Sequence, residues 1–294
     1  MKILIFSLGE KGFNVVKALS SYGNQVTLAC VIGEDKNVLD DYSMRLIQWC
    51  QANKIDYYFH NKSNIPTDGY DLYMAAGWRW MIRDVAKEKL VIFHDSLLPR
   101  YRGFSPLVNA LINREKTIGV TALLGSEDYD RGDIIIQHCI DVEYPTNIKY
   151  EIKRISQIYA TMAIELVSKW ISNTINSEIF PQDESNASYS LWRDKHDYRI
   201  NWSDTAENIS HFISCLGTPY LSASTTLNDK LVRIYKASHL GDINIENRTP
   251  GKVIFEEHGL PIVVCGSGLL LIEDIRDDEN NTLLPLTKFR SRFV

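Results

Sequence analysis

Val91-Ile92-Phe93-His94-Asp95-Ser96-Leu97-Leu98-Pro99-Arg100-Tyr101-Arg102-Gly103 is the stretch whose reading decides the fold. Three β-formers run into one histidine, and the chain then breaks into a polar, turn-prone Asp-Ser, a Leu-Leu-Pro and an Arg-x-Arg-Gly. An open parallel sheet presents residues in this way at its binding edge, beyond the carboxyl ends of its strands. His94 is therefore the first candidate for chemistry.

Upstream, Lys2 to Leu8, Gln25 to Ile32, Tyr57 to Phe59 and Asp71 to Ala76 have the length and apolar density of buried strands. Helical spacing lies between them, from Phe13 to Leu19 and from Met44 to Ala52. Strands alternating with helices predict βαβ units and a parallel sheet. Downstream, Ser105-Pro106 is a helix start, with Ser105 as N-cap. Gly119 to Leu124 and Ile134 to Ile136 read as strands flanking an acidic loop, with Asp130 expected beside another parallel strand. Ile152, Ile155, Tyr159, Met162, Leu166 and Trp170 mark one long amphipathic helix. Asn173 to Ser188 reads as a polar linker over the first domain.

After a short helix capped by Ser203 come only strand-like segments: 221–227, 230–237, 252–256, 260–265 and 269–275. Their regular spacing suggests a small OB-like barrel. The expectation is an α/β catalytic domain over 1–180 and an OB-like β-barrel domain over 189–294.

Composition narrows the function. The chain has 294 residues, 45% hydrophobic and 23% charged, which suits an ordinary globular protein with room for two domains. A net charge of -5 provides no global positive field for a nucleic-acid backbone. Cys30, Cys50, Cys139, Cys215 and Cys265 are odd in number and scattered, which points to reduced thiols rather than a zinc or redox motif. The N-terminal apolar run stops at Gly9-Glu10-Lys11-Gly12, too early for a signal-peptide core, and no run approaches the roughly 20 apolar residues of a membrane span. A soluble, cytoplasmic protein is expected, with a homodimer as the commonest assembly.

The Gly9 to Gly12 loop lacks the three-glycine dinucleotide fingerprint, so NAD is not expected. Lys11 either meets a phosphate at the helix N-terminus or stays solvated. Ser96 lies in no nucleophile elbow, and His94 and Asp130 lack a third metal ligand. A carboxylate at Asp130 beside the His94 imidazole would suit general acid/base or oxyanion chemistry. Spacing alone ends at an α/β enzyme with a His-Asp pair.

The order His94-Asp-Ser-Leu-Leu-Pro-Arg-Tyr-Arg-Gly103, Ser105-Pro106, Gly119-Val-Thr121 and Tyr129-Asp130-Arg-Gly132-Asp-Ile resembles the formyltransferase family over about residues 1 to 140. That family includes glycinamide ribonucleotide, methionyl-tRNA and nucleotide-linked amino-sugar formyltransferases. Arg199-Ile-Asn-Trp202 and Gly217-Thr-Pro219-Tyr220 resemble the C-terminal barrel of the last two branches. The resemblance implies a Rossmann-like domain that uses N10-formyltetrahydrofolate as formyl donor, with His94 as catalytic histidine and Asp130 as its supporting carboxylate. It implies a pterin cradle of Trp80, Met81 and Ile82 with Ser126, Glu127, Asp128 and Tyr129. Gly9, Lys11, Gly12 and Arg102 are the residues expected to bind the other substrate.

One position departs from the family pattern Asn-x-His: residue 92 is Ile, which has no hydrogen-bond donor. Losing one oxyanion donor costs on the order of 3 kcal/mol in a barrier. Either another group replaces it, or the enzyme is slow, or the chain is a catalytically impaired relative. The acidic balance favours a nucleotide-linked amino sugar as acceptor, in surface-polysaccharide synthesis, over a tRNA; methionyl-tRNA formylation is the rival.

Overall fold

The computed structural model describes residues 1–62, 64–83, 85–175 and 179–294. The chain divides into two units, one of Met1–Glu143 with Tyr150–Trp192 and one of Tyr144–Lys149 with Arg193–Val294.

In the first unit the N-terminal apolar run becomes β1 (Lys2–Ser7), five of its six residues buried, as expected of a strand covered on both faces. It pairs in parallel with β2 (Thr27–Ile32), which pairs with β3 (Asp56–Phe59). On its other side β1 pairs with β4 (Leu72–Ala76), and β4 with β5 (Leu90–His94), both parallel. The helices α1 (Gly9–Leu19) and α2 (Ser43–Asn53) supply the first crossovers. Because the chain builds outward from β1 in one direction and then returns to build in the other, β1 and β4 meet at a topological switch point.

Among the described residues of 77–89, which join β4 to β5, there is no α-helix. Trp78, Ile82 and Val85 instead cover the apolar face formed by Leu4, Phe6, Ala29, Val31, Tyr73, Ala75 and Leu90. β6 (Arg102–Gly103) and α3 (Pro106–Ile112) follow β5, and then β7 (Thr117–Leu124) and β8 (Ile134–Asp141) complete the order β3-β2-β1-β4-β5-β7-β8.

The last two strands correct the sequence reading. β7 is antiparallel to β5, and β8 to β7, so Asp130 does not sit beside a parallel crossover. The reason is length: the nine residues 125–133 are fewer than the dozen or so that a parallel crossover needs. Ser105 precedes α3 as expected, but with φ +50 and no side-chain cap; its carbonyl, not its hydroxyl, takes the helix's first N–H.

The long apolar stripe becomes α4 (Ile148–Ile171), with Ile152, Ile155, Tyr159, Met162 and Leu166 buried. The expected linker over 173–188 is stitched to the first unit in its described part. Phe180 bridges Ile134, and β9 (Tyr189–Ser190) pairs with β6. Residues 176–178 of that stretch lie outside the described residues.

The second unit holds α5 (Ala206–Leu216) and an antiparallel sheet. Its strands are β10 (Ala223–Leu227), β11 (Lys230–Leu240), β12 (Val253–Glu257), β13 (Leu260–Val264) and β14 (Leu269–Arg276), in the order β10-β11-β14-β13-β12. The chain's last residues join its edges. Val294 exchanges hydrogen bonds with Thr226 of β10, and Arg292 bridges Lys252 next to β12, which closes a small barrel. The cap of α5 is Thr205, accepting from the Asn208 N–H at 3.1 Å, rather than Ser203. Among the described residues no helix is long and apolar enough to cross a membrane.

Candidate active site

β5 delivers His94 to the carboxyl edge of the sheet, and the ring is held from both sides. Nε2 lies 2.8 Å from the Tyr101 carbonyl oxygen. A carbonyl only accepts, so Nε2 carries a hydrogen and Nδ1 is the nitrogen left to exchange a proton. Nδ1 stands 3.4 Å from Asp130 Oδ1, with the two side chains only 8% and 12% exposed. Sequence reading named both residues, and the structure brings them together.

Asp130 is fixed by its surroundings. Its φ is +58, a left-handed conformation that an Asp tolerates in a turn. Its second oxygen, Oδ2, accepts the Gly103 N–H at 2.8 Å, so the carboxylate joins the loop after β5 to the loop after β7. Gly132 allows the turn to tuck under the sheet, since a Cβ there would lie 1.8 Å from the Leu124 carbonyl oxygen.

The loop after β5 is pinned as tightly. Thr121 donates to the Ser96 carbonyl at 2.7 Å and accepts the Leu98 N–H at 3.0 Å. Gln137 donates to the Leu98 carbonyl at 2.8 Å. Tyr101, at φ +59, places its hydroxyl 2.6 Å from Glu115 Oε1, and this hydrogen bond holds the Glu115 carboxyl below the usual carboxylate range. The carbonyl that orients His94 therefore belongs to a residue anchored at both its backbone and its ring.

Three of the four residues expected to bind substrate have other work. Arg102 is wholly buried. Its guanidinium donates twice to Gln182 Oε1 at 3.0 and 2.7 Å, twice to the Glu184 carboxylate at 2.9 and 2.8 Å, and once to the Tyr189 hydroxyl at 3.4 Å. All five N–H groups are thereby occupied, and Arg102 is a structural clamp. Gly12 is buried inside α1, where a Cβ would lie 2.3 Å from Ser7 Oγ; its smallness lets the helix pack on β1. Lys11 is mostly buried rather than solvated, and its ammonium is paired with the Asp95 carboxylate. Gly9, at φ +67, opens α1 with free space around its Cα.

The residues expected to cradle a pterin form two groups. Trp80 lies in an aromatic cluster, 4.3 Å from the His60 ring and 4.8 Å from that of Trp78. Burial holds the His60 imidazole below its usual pKa range. Ile82 packs on the sheet, and Met81 is exposed. Beside them the Trp78 indole N–H is buried with no partner among the described residues, a donor left for a ligand. Ser126, Glu127, Asp128 and Tyr129 form the outer part of the Asp130 loop. The Ser126 hydroxyl donates to the Asp128 carbonyl, Glu127 pairs with Lys87, Asp128 faces Arg131, and Tyr129 lies against Phe104.

This site lies in residues 1–157, which match the family model described as "Formyl transferase"; residues 193–291 match "Formyl transferase, C-terminal domain". The chain belongs to the formyl transferase family. Among its relatives, a methionyl-tRNA formyltransferase of Clostridium novyi is 33% identical over 197 residues, 66% of this chain and 62% of that protein. A methionyl-tRNA formyltransferase of Thermodesulfovibrio yellowstonii is 30% identical over 284 residues, 92% of this chain and 89% of that one. The chain thus spans slightly less than two thirds of the first relative and most of the second. A solved N-formyltransferase of Helicobacter canadensis, in complex with folinic acid and dTDP-3-aminofucose, has the same fold at 18% identity. Its TM-score is 0.68, over 93% of this chain and 99% of that one.

Set against other formyl transferases, the departure at Ile92 has a visible environment. Its side chain packs with Leu98, Leu123 and Ile134 and against the sheet face that Trp78, Ile82 and Val85 cover. An apolar plug stands two residues before His94, where the family pattern has an amide. Sequence reading missed Gln182, which donates to the Asp130 and Gly132 carbonyls at 2.8 Å each. It sits in an aperiodic polar stretch, and only the buried demand of Arg102 for an acceptor points to it.

Proposed function

We propose that this protein transfers a formyl group from N10-formyltetrahydrofolate to the amine of a nucleotide-linked amino sugar. The observation that carries the reading is the His94–Asp130 pair, 3.4 Å apart and nearly buried, within the residues matched by the family model.

The donor folate would lie against Trp78, Trp80, Met81 and Ile82, with the outer Asp130 loop on its other flank; the unpartnered Trp78 indole N–H fits a polar ring edge. Bound there, it supplies a formyl group activated toward amines. The chain's own part is proton management. An amine that attacks a carbonyl carbon gains positive charge and must lose a proton, while the oxygen gains negative charge. His94 Nδ1, which faces Asp130, is the ring nitrogen that carries no other hydrogen and can take or return that proton, and Asp130 stabilises the imidazolium when it forms. Since Nε2–H stays on the Tyr101 carbonyl, the ring keeps one orientation throughout.

For the acceptor, the net charge of -5 suits a small anionic ligand at one local site better than a polyanion along a surface. The Helicobacter canadensis enzyme holds a dTDP-linked amino sugar on this fold. A formylated sugar of this kind would serve surface-polysaccharide synthesis. The second reading, methionyl-tRNA formylation, is favoured by the names of the two relatives. A thermal-shift panel separates them: a nucleotide-sugar at about a hundred times its Kd adds roughly 2.7 kcal/mol of stability. Stabilisation by dTDP- or UDP-amino-sugars, and none by initiator methionyl-tRNA, is expected; the reverse pattern gives the site to the tRNA.

A further inference from the structure

β5 loses one of its two neighbours before it reaches His94. Its pairing with β4 ends at Ala75 opposite Ile92, while pairing with β7 continues to His94 opposite Thr121. On the β4 side the last residues of the strand have no ladder to hold them. Catalytic geometry is sensitive to such slack, because displacement by about 1 Å can cost a hundredfold in rate.

Two helices take the place of the missing ladder. Tyr159 of α4, itself 1% exposed, stacks on the Phe93 ring with centroids 5.1 Å apart. Its hydroxyl lies 2.5 Å from Asp95 Oδ1 and 3.1 Å from the Phe93 carbonyl oxygen. One donor thus serves the two residues that bracket His94. Asp95 Oδ2 takes the Lys11 ammonium from the first turn of α1, and both side chains are mostly buried. Burial, with the Asp95 carboxylate beside it, pushes the Tyr159 phenol well up, so its proton stays in place. An enclosed ion pair is not an efficient source of stability, since desolvation offsets most of its attraction. Nothing in the transfer chemistry uses Asp95, whose carboxylate turns toward α4 while His94 turns toward Asp130.

We propose that Lys11, Asp95 and Tyr159 are positioning residues that hold the end of β5, and with it His94, in the geometry formyl transfer requires. The proposal rests on the formyl-transfer reading of the site. Three parts of the chain converge on it: α1 brings the cation, the residue just after β5 the carboxylate and α4 the hydroxyl. The imidazole itself is met by Asp130 at Nδ1 and the Tyr101 carbonyl at Nε2, while the compensated Lys11–Asp95 pair and Tyr159 hold the two residues that bracket it.

Tyr159→Phe is the decisive variant, because it keeps the ring on Phe93 and removes only the hydroxyl. With circular dichroism unchanged, kcat is expected to fall about tenfold to a hundredfold, with KM for donor and acceptor held. The His94 ring signals in 15N-edited NMR should shift and broaden. Asp95→Asn and Lys11→Met, with circular dichroism unchanged, are expected to lower kcat in the same range and to move the His94 ring signals, and Lys11→Arg to restore both. A Tyr159→Phe protein with wild-type kcat and unaltered His94 signals overturns the proposal, as does wild-type kcat with unaltered His94 signals in folded Asp95→Asn and Lys11→Met. If the wild-type protein transfers formyl to no acceptor, the formyl-transfer reading fails, and the NMR signals still decide whether this trio fixes His94.

Discussion

Gln182 donates one side-chain amide to two carbonyls, those of Asp130 and Gly132, at 2.8 Å each, and so holds the turn that carries the supporting carboxylate. Its own oxygen is gripped by Arg102. A chain of hydrogen bonds therefore runs from a buried guanidinium, through a residue far away in sequence, to the main chain of the loop that carries the Asp130 carboxylate.

The first prediction follows from that chain. Gln182→Leu removes both donors, keeps the volume near enough to fold, and leaves two carbonyls and the Arg102 guanidinium short of partners. The expected result is a kcat lowered by about a hundredfold with a smaller change in KM. Steady-state kinetics beside a circular dichroism spectrum checks it.

His94→Ala should abolish most turnover while leaving Tm within a few degrees. General acid/base groups contribute about a hundredfold to ten-thousandfold, and a fall smaller than tenfold would move the chemistry elsewhere. Asp130→Asn should behave almost as badly. An amide can still accept the Gly103 N–H, but it cannot stabilise an imidazolium at Nδ1.

His94 and Asp130 are legible in the amino-acid sequence, as is the parallel sheet, because buried strands and a histidine at a strand end leave local marks there. Partnership is less legible. Arg102 and Lys11 look like free cations in a sequence, whereas each is committed to a carboxylate brought from elsewhere, Glu184 in one case and Asp95 in the other. The antiparallel turn between β7 and β8 is readable in principle from the shortness of 125–133. Gln182 is not, since its role depends on a loop-to-loop contact that has no period.

Ile92→Asn tests the departure from the family pattern. An amide placed among Leu98, Leu123 and Ile134 should cost about 1 to 3 kcal/mol of stability and lower Tm. If the transfer step lacks that oxyanion donor, kcat rises by at least about tenfold. An unchanged kcat in the folded variant would mean that another group already does this work.

The Tyr101 anchor gives a dependence on pH. Glu115, which accepts the Tyr101 hydroxyl, has its pKa lowered on folding. A carboxyl depressed in the folded state stabilises above its unfolded pKa, and that contribution is lost as pH falls through the folded value. Between about pH 5 and about pH 3 the wild-type protein should therefore lose more Tm than Glu115→Gln does. Parallel melting curves for the two proteins check this, with the Tm difference at neutral pH taken as the fixed cost of the substitution.

The central claim is formyl transfer at His94 to a nucleotide-linked amine. Its most direct test is incubation of the protein with N10-formyltetrahydrofolate carrying a 13C-labelled formyl group and a panel of dTDP- and UDP-amino-sugars, read by mass spectrometry. The expected result is one labelled formyl group on the amine of at least one nucleotide-sugar with the wild-type protein, and almost none with His94→Ala. Labelled product at equal rates from both proteins, or transfer to initiator methionyl-tRNA with every sugar left unmodified, would contradict it.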